Sequence, residues 1–353
     1  MKFFAILAAF LLLSSFPFYI SPIKIVAGPY LQNAGCTSIT IMWITNKEAN
    51  NNIVRWGTNE LENSVEATDG KIHEAKIEGL QPSTKYYYMV ESDGIKSGVY
   101  TFFTAGNENF TFIVYGDTRG VWDNWKNASK VAEAIKEEKV DIVIHTGDIV
   151  RNGMNEDEWI KFFQISSWIH NTTLYPAIGN HDLPSQSFKK YFSLPGNEEW
   201  YSFDYGSAHF TILNSNSPFS LNQFLWLIKD LQTKKWKIVA FHHPPYSSGS
   251  HGNTTILRIW SLIFQLAKVD IVFNGHDHDY ERIKIGSVNY IVTGGGGAPL
   301  RHVGRSKWTI CSTSAYHYCK INVNSSTLNF TSYDLNGSII DHFVISFPYQ
   351  PSI

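Results

Sequence analysis

The 353 residues carry 43% hydrophobic and 15% aromatic side chains, enough to bury one large core or two ordinary ones and too apolar for a disordered chain. Lys and Arg number 29 against 31 Asp and Glu, and the resulting net charge of −2 leaves no basic footprint for stable binding of nucleic acid. Charged residues make up only 17%, against about 25% in an ordinary soluble chain, and Asn, Ser, Thr and Tyr fill the difference, which suits an extracellular surface.

At the N-terminus Lys2 precedes an unbroken apolar run over residues 3–13, followed by Ser14, Ser15 and Pro17. That is the length of a signal-peptide core and short for a bilayer span, so residues 1–21 read as an export signal. Extending the run through Phe16, Phe18, Tyr19 and Ile20 reaches the lower limit of a spanning helix, and no clean Ala-x-Ala site follows. An uncleaved anchor is therefore the alternative, and the only route to a membrane. Seven Asn-x-Ser/Thr sequons, at Asn109, Asn127, Asn171, Asn253, Asn324, Asn329 and Asn336, fit export through a glycosylating pathway, to the outside or the cell surface.

From residue 22 to 105 the chain is a series of short β-rich runs, at 38–44, 52–56, 86–90 and 99–103, separated by Gly, Asn, Asp and Pro. This pattern predicts a β-sandwich. Trp43 and the spacing Leu80-x-Pro82-x-Thr84-x-Tyr86 resemble a fibronectin type III domain. From 106 to 353 strands and helices alternate, which predicts an α/β domain, a β-sheet sandwich flanked by helices. A strand at 112–115 leads to a helix whose inner face is Ala128, Val131, Ala132 and Ile135, then to a strand at 140–144. Ser220 and Gln223 form a capping box for a helix with Leu221, Phe224, Ile228 and Leu231 inward, ahead of a strand at 236–241. A helix over 254–267 precedes a strand at 270–273, and the remainder returns to strands, among them 327–332 and 339–345. Cys311 and Cys319 are spaced to close a small disulfide loop, and Cys36 reads as a buried free thiol.

Five clusters of metal-type ligands each follow a strand, where an α/β sheet places its ligand crevice. They are Gly116-Asp117-x-Arg119, Gly147-Asp148, Gly179-Asn180-His181-Asp182, His242-His243 and Gly275-His276-x-His278. Singly, a Gly-Asp pair is a turn and a histidine is a packed core residue; five in series are hard to explain as turns. Carboxylates and imidazoles with one amide suit borderline metals such as Zn, Fe and Mn. There are too many for one tetrahedral ion, whereas two ions sharing a carboxylate would use them all in an attack on phosphorus.

The same ordered set resembles the calcineurin-like metallophosphoesterase superfamily, and with the fibronectin-like front it is similar to purple acid phosphatases. The resemblance implies two metal ions per subunit, Fe with Zn or Mn. Asp148 would bridge them, Asp117 and His278 would hold the first, and Asn180, His242 and His276 the second. It further implies attack by a metal-bound hydroxide on a small phosphorylated substrate, His181 as proton donor to the leaving oxygen, and a substrate-facing His251. His243 either touches substrate or packs on Pro244, and His145 and His209 read as core hydrogen-bonding residues.

The chain departs from that pattern in one place. The tyrosine that gives the family its colour is replaced by Arg151, and Arg119 occupies the place of the alternative histidine. The first ion is left with three evident ligands, and Arg119 lies either near the phosphate or salt-bridged beside the ligands. The implied function is a secreted phosphomonoesterase without the tyrosinate; the alternatives are a phosphodiesterase or nucleotidase, or a cell-surface binding protein with a degenerate site.

Overall fold

A computed structural model describes residues 22–347, so the segment read as an export signal lies outside the described residues. The alternating runs of the front part form two antiparallel sheets. One comprises Ile25–Gln32, Ser38–Ala49 and Gly70–Glu78; the other is built on Asn52–Gly57 and Lys85–Ser92, edged by Asn63–Glu66, Ile95–Lys96 and Tyr100–Phe103. Ile39, Ile41 and Trp43 from the first sheet meet Val54, Tyr88, Val90 and Phe102 from the second in a closed core. The Trp43 indole is fully buried because its N–H finds Ser92 Oγ at 2.8 Å, which in turn donates to Asn52 Oδ1 at 2.7 Å. At the predicted corner the Tyr86 hydroxyl accepts the Gln81 N–H at 2.9 Å.

Behind it stand two larger sheets. Three parallel strands, Thr173–Pro176, Ile142–His145 and Phe110–Tyr115, continue into the antiparallel strands His317–Val323, Thr327–Asp334 and Ile339–Ser346. The second sheet runs Tyr201–Tyr205, Ala208–Ile212, Trp236–Ala240, Ile271–Asn274, Val288–Thr293, Tyr280–Ile285 and Thr309–Thr313, with a parallel centre. The sheets face each other through aromatic contacts, Phe112 lying 5.1 Å from Phe210 and 6.3 Å from Phe273. Helix Lys126–Glu137 buries the predicted Ala128, Val131, Ala132 and Ile135. Leu221–Asp230 and Arg258–Leu266 cover the outer face of the second sheet over Val239, Phe241, Val272 and Tyr290. A strand-rich N-terminal part followed by an α/β sheet sandwich is thus the architecture. The front part is tied on by Tyr30 Oη donating to Tyr191 O at 2.8 Å, Gln32 Nε2 to Leu174 O at 2.9 Å, and Tyr175 Oη to Ala34 O at 3.0 Å.

Three expectations are corrected. Helix Leu221–Asp230 is rotated: Gln223, Leu227 and Leu231 face inward, Phe224 is half-buried, and Leu221 and Ile228 are exposed. Gln223 causes the rotation, since its side chain accepts from Asn214 N and donates to the carbonyls of Asn214 and Ser217, satisfying buried loop groups. Ser220 still caps the helix, accepting from Gln223 N at 3.3 Å. Cys311 and Cys319 are free thiols on strands of different sheets, and Cys36 is exposed.

Across the two sheets Asp341 takes a bidentate bond from Arg282, 2.6 and 3.0 Å, and the Tyr280 hydroxyl at 2.7 Å. Asp341→Ala strands a nearly buried guanidinium and a buried phenol, and lowers stability by about 3 kcal/mol. Urea unfolding measures it, and the double replacement Asp341→Leu with Arg282→Met restores most of the loss.

Candidate metal centre

Each ligand cluster leaves the carboxyl end of a parallel strand. Asp117 follows Phe110–Tyr115, Asp148 follows Ile142–His145, and Asn180 and His181 follow Thr173–Pro176; His242 follows Trp236–Ala240, and His276 and His278 follow Ile271–Asn274. The two sheets therefore deliver their loops to one junction. The packing there admits no side chain at the intervening glycines: a Cβ on Gly179 would lie 2.2 Å from Asp148 N, and one on Gly275 would lie 2.5 Å from Asp117 Oδ2. Asp117, Asp148 and His276 themselves hold left-handed backbone, with φ of 59°, 56° and 71°. Such conformations cost about 1–3 kcal/mol each and persist where the surroundings impose them.

Donor atoms converge without partners. Asp117, Asp148 and His242 present ligand atoms within 4.8 Å of one another, and so do His242, His243 and His276. His242 Nε2 lies 3.3 Å from Asp148 Oδ1 and 3.2 Å from His276 Nδ1, while its Nδ1 donates to Thr146 O at 3.0 Å and so turns Nε2 inward. Asn180 Oδ1, Asp148 Oδ2 and Asp117 Oδ1 are buried with no hydrogen-bond donor. Oxygen lone pairs left orphaned in this way, beside the imidazoles of His242 and His276, fit a borderline divalent ion. Burial, with the His242 ring beside them, takes His243 down to about 3 and His276 down to about 2, so both rings stand neutral and able to ligate. For His242 burial opposes the charged ring, but the Asp148 carboxylate outweighs it and lifts the ring to about 9.

Of the residues expected to hold one ion, Asp148, His242 and His276 stand in a chain of contacts, and Asn180 Oδ1 is buried without a donor. The set proposed for the other ion is filled differently. Arg119 Nη2 donates to His278 Nε2 at 2.7 Å and Arg119 Nε lies 3.3 Å from Asp148 Oδ2, while His278 Nε2 lies 3.4 Å from Asp117 Oδ1. Of the two places left open for Arg119, the structure selects the salt bridge beside the ligands. As arranged, these residues do not fit a second ion, because the guanidinium holds the lone pair that the ion would need. Arg151, at the tyrosine position, is exposed, and its guanidinium lies 5.1 Å from the Trp122 ring, on which Arg119 also rests at 5.7 Å.

His181 sits at the mouth, its N–H on Asp148 Oδ1 at 2.9 Å and its Nδ1 donating to Arg151 O at 2.8 Å. His251 stacks on His276 with ring centroids 4.2 Å apart, held by Asp277 at 3.2 Å and by Arg301 Nη1, which donates to its Nε2 at 2.8 Å. His243 Nδ1 bonds Ser215 Oγ at 2.9 Å. His145 is buried against Thr118 and Tyr115, and His209 bonds Asp204 and Asp230. Sequence reasoning gave no role to Arg301, which carries no motif, or to Asp182. The buried Asp182 carboxylate accepts the backbone N–H groups of Asp148, Ile149, Val150 and Gly179 at 2.8–3.2 Å, fixing the turn that presents Asp148. Its place directly after the Asn-His pair was the available signal.

Residues 110–280 match the family model for calcineurin-like phosphoesterases, and residues 28–104 match that for the purple acid phosphatase N-terminal domain. Among curated proteins, a phosphoenolpyruvate phosphatase of Allium cepa is 27% identical over 318 residues, and an Fe(3+)-Zn(2+) purple acid phosphatase of Arabidopsis thaliana is 28% identical over 306. The matches cover 74% and 73% of this chain but only 64% of each relative. A purple acid phosphatase from yellow lupin (Lupinus luteus) seeds shares the fold, with a TM-score of 0.79 over 90% of this chain and 74% of its own, at 22% identity.

Asp182→Asn leaves buried N–H groups facing an amide that cannot accept them all. The substitution costs about 2–3 kcal/mol in urea unfolding and weakens zinc binding, read by calorimetric titration, about 10- to 100-fold.

Proposed function

We propose that this chain, a purple acid phosphatase-like member of the calcineurin-like phosphoesterase superfamily, is a metal-dependent phosphatase that hydrolyses phosphomonoesters outside the cell. The observation that carries this reading is the convergence of Asp148, His242 and His276 with the orphaned amide oxygen of Asn180, beside His181, whose backbone N–H holds Asp148 Oδ1. Asp148, Asn180, His242 and His276 would hold the ion, Zn, Fe or Mn by donor chemistry, and when bound it would supply Lewis acidity toward a phosphoryl oxygen and toward water. The Fe(3+)-Zn(2+) relative supports that choice of metals.

The protein's own side chains do the rest. His181 donates its Nδ1–H to Arg151 O, which leaves Nε2 without a partner among the described residues; in the imidazolium form Nε2 carries the second proton and can give it to the leaving oxygen. Arg301, steered by His251, and Arg151 on Trp122 place positive charge around the opening, which draws in a doubly charged monoester more strongly than a singly charged diester. Export is supported by the apolar N-terminal run and the sequons. A second reading, a binding protein with a degenerate site, draws on one observation, the guanidinium of Arg119 seated on His278.

Hydrolysis of matched aryl phosphate monoesters and diesters, after chelation and after adding back Zn, Fe or Mn, separates these readings. Metal-restored monoester activity is expected; a diester preference would move the assignment to a phosphodiesterase, and silence under every metal would leave the binding protein. His181→Ala is expected to cost about 10²–10⁴-fold on an alkyl phosphate, whose leaving group needs the proton, and far less on an activated aryl ester. With Arg151 in the tyrosine position, the iron-loaded protein is expected to show no tyrosinate band in the visible spectrum.

A further inference from the structure

Arg119 is the unusual group of the centre. Its side chain is 4% exposed and enters a pocket walled by Asp117 and Asp148, both fully buried. The tautomer of His278 follows from its surroundings: Nδ1 lies 2.7 Å from the carbonyl of Pro299 and must donate to it, so Nε2 is the acceptor. That lone pair is taken by Arg119 Nη2, and Arg119 Nε approaches Asp148 Oδ2 from the same side. A guanidinium stays protonated at any working pH, so the positive charge is permanent. The atoms it engages, His278 Nε2 and Asp148 Oδ2, are those that would bind the first of two ions, and Asp117 Oδ1 lies 3.4 Å from His278 Nε2. Asp148 Oδ1, which accepts the His181 N–H, lies 3.3 Å from His242 Nε2, which in turn contacts His276 Nδ1, and Asn180 Oδ1 has no donor; Arg119 engages none of these atoms.

We propose that the guanidinium of Arg119 stands in place of the first metal ion, and that the centre takes up a single divalent ion, held by Asp148, Asn180, His242 and His276. This rests on the phosphatase reading above for what the ion does, but not for how many ions bind. The guanidinium supplies a fixed charge where an ion would supply an exchangeable one. It cannot be chelated away, it offers N–H donors to a phosphoryl oxygen, and it cannot acidify a water as a metal does. The remaining ion must perform that task alone, and the first position contributes charge without redox or ligand exchange.

The test is metal content and magnetic coupling of the full-length protein, stripped by chelator, reloaded with excess Mn(II) and desalted. The expected result is one Mn per chain by elemental analysis, and an uncoupled six-line electron paramagnetic resonance spectrum. Arg119→His, which exchanges the cation for an imidazole ligand, is expected to raise the content to two per chain and to give an exchange-coupled spectrum. Two coupled ions in the unaltered protein would overturn the proposal, as would a second ion failing to enter folded Arg119→His. The unaltered protein decides the question even if that variant does not fold. One ion with no hydrolysis of any ester would sink the phosphatase reading and leave the single-ion centre standing; two ions with hydrolysis would do the reverse. No bound ion at all would overturn both.

Discussion

The constraint on which this structure turns is the burial of two carboxylates, Asp117 and Asp148, at the junction of two sheets, where neither reaches water. An isolated buried carboxylate is too costly to keep, so the site has to gather positive charge and hydrogen-bond donors. It does so with backbone N–H groups from His276 onto Asp117 and from His181 onto Asp148, and with the His242 ring and the Arg119 guanidinium each 3.3 Å from Asp148. The left-handed backbone at Asp117, Asp148 and His276, and the glycine contacts that admit no Cβ, are what it takes to bring the loops of both sheets that close.

The surrounding acids show the same pressure one layer out. Asp277 accepts Ser247 Oγ at 2.5 Å and His251 N at 2.7 Å, and Glu281 accepts Ser248 N and Thr309 Oγ1 at 2.6 Å each. Asp279, between them in the chain, is fully buried with neither oxygen partnered, and burial, reinforced by the charges of Asp277 and Glu281, pushes it up to about 8. It is therefore a neutral acid near pH 7, and the layer beneath the histidines carries less negative charge than its composition suggests. Asp182 solves the same problem with four backbone donors, and those donors also set the geometry of Asp148. Positioning and charge compensation are done by the same bonds.

Much of this was legible in the sequence because strands and turns are local. Period-two runs announced the front sandwich, and the recurrence of a ligand residue directly after a strand announced the junction. The helix at Leu221–Asp230 was misread because nearly every turn of it offers apolar residues, so periodicity could not choose a face; a buried glutamine with three bonds to the preceding loop chose it. Cys311 and Cys319 are near in sequence but are carried apart by strands that join different sheets. The role of Asp182 depends on four N–H groups from two separate loops, which its place after the Asn-His pair flags but does not specify.

Arg119 shows where sequence reasoning stops for a physical reason. Two residues beyond Asp117, a side chain that long can reach either outward toward a substrate or inward toward the carboxylates. What selects the inward course is the balance of charge at the junction. One ion could offset the charge at the second position, but Asp117 Oδ1 and the outer oxygen of Asp148 remain, buried and without hydrogen-bond donors. A cation already attached to the chain offsets part of that charge, lying 3.3 Å from Asp148 and bonded to His278, which stands 3.4 Å from Asp117. On this argument the arginine is first a structural solution to two buried negative charges, and its contact with His278 follows from the short path its side chain takes to them.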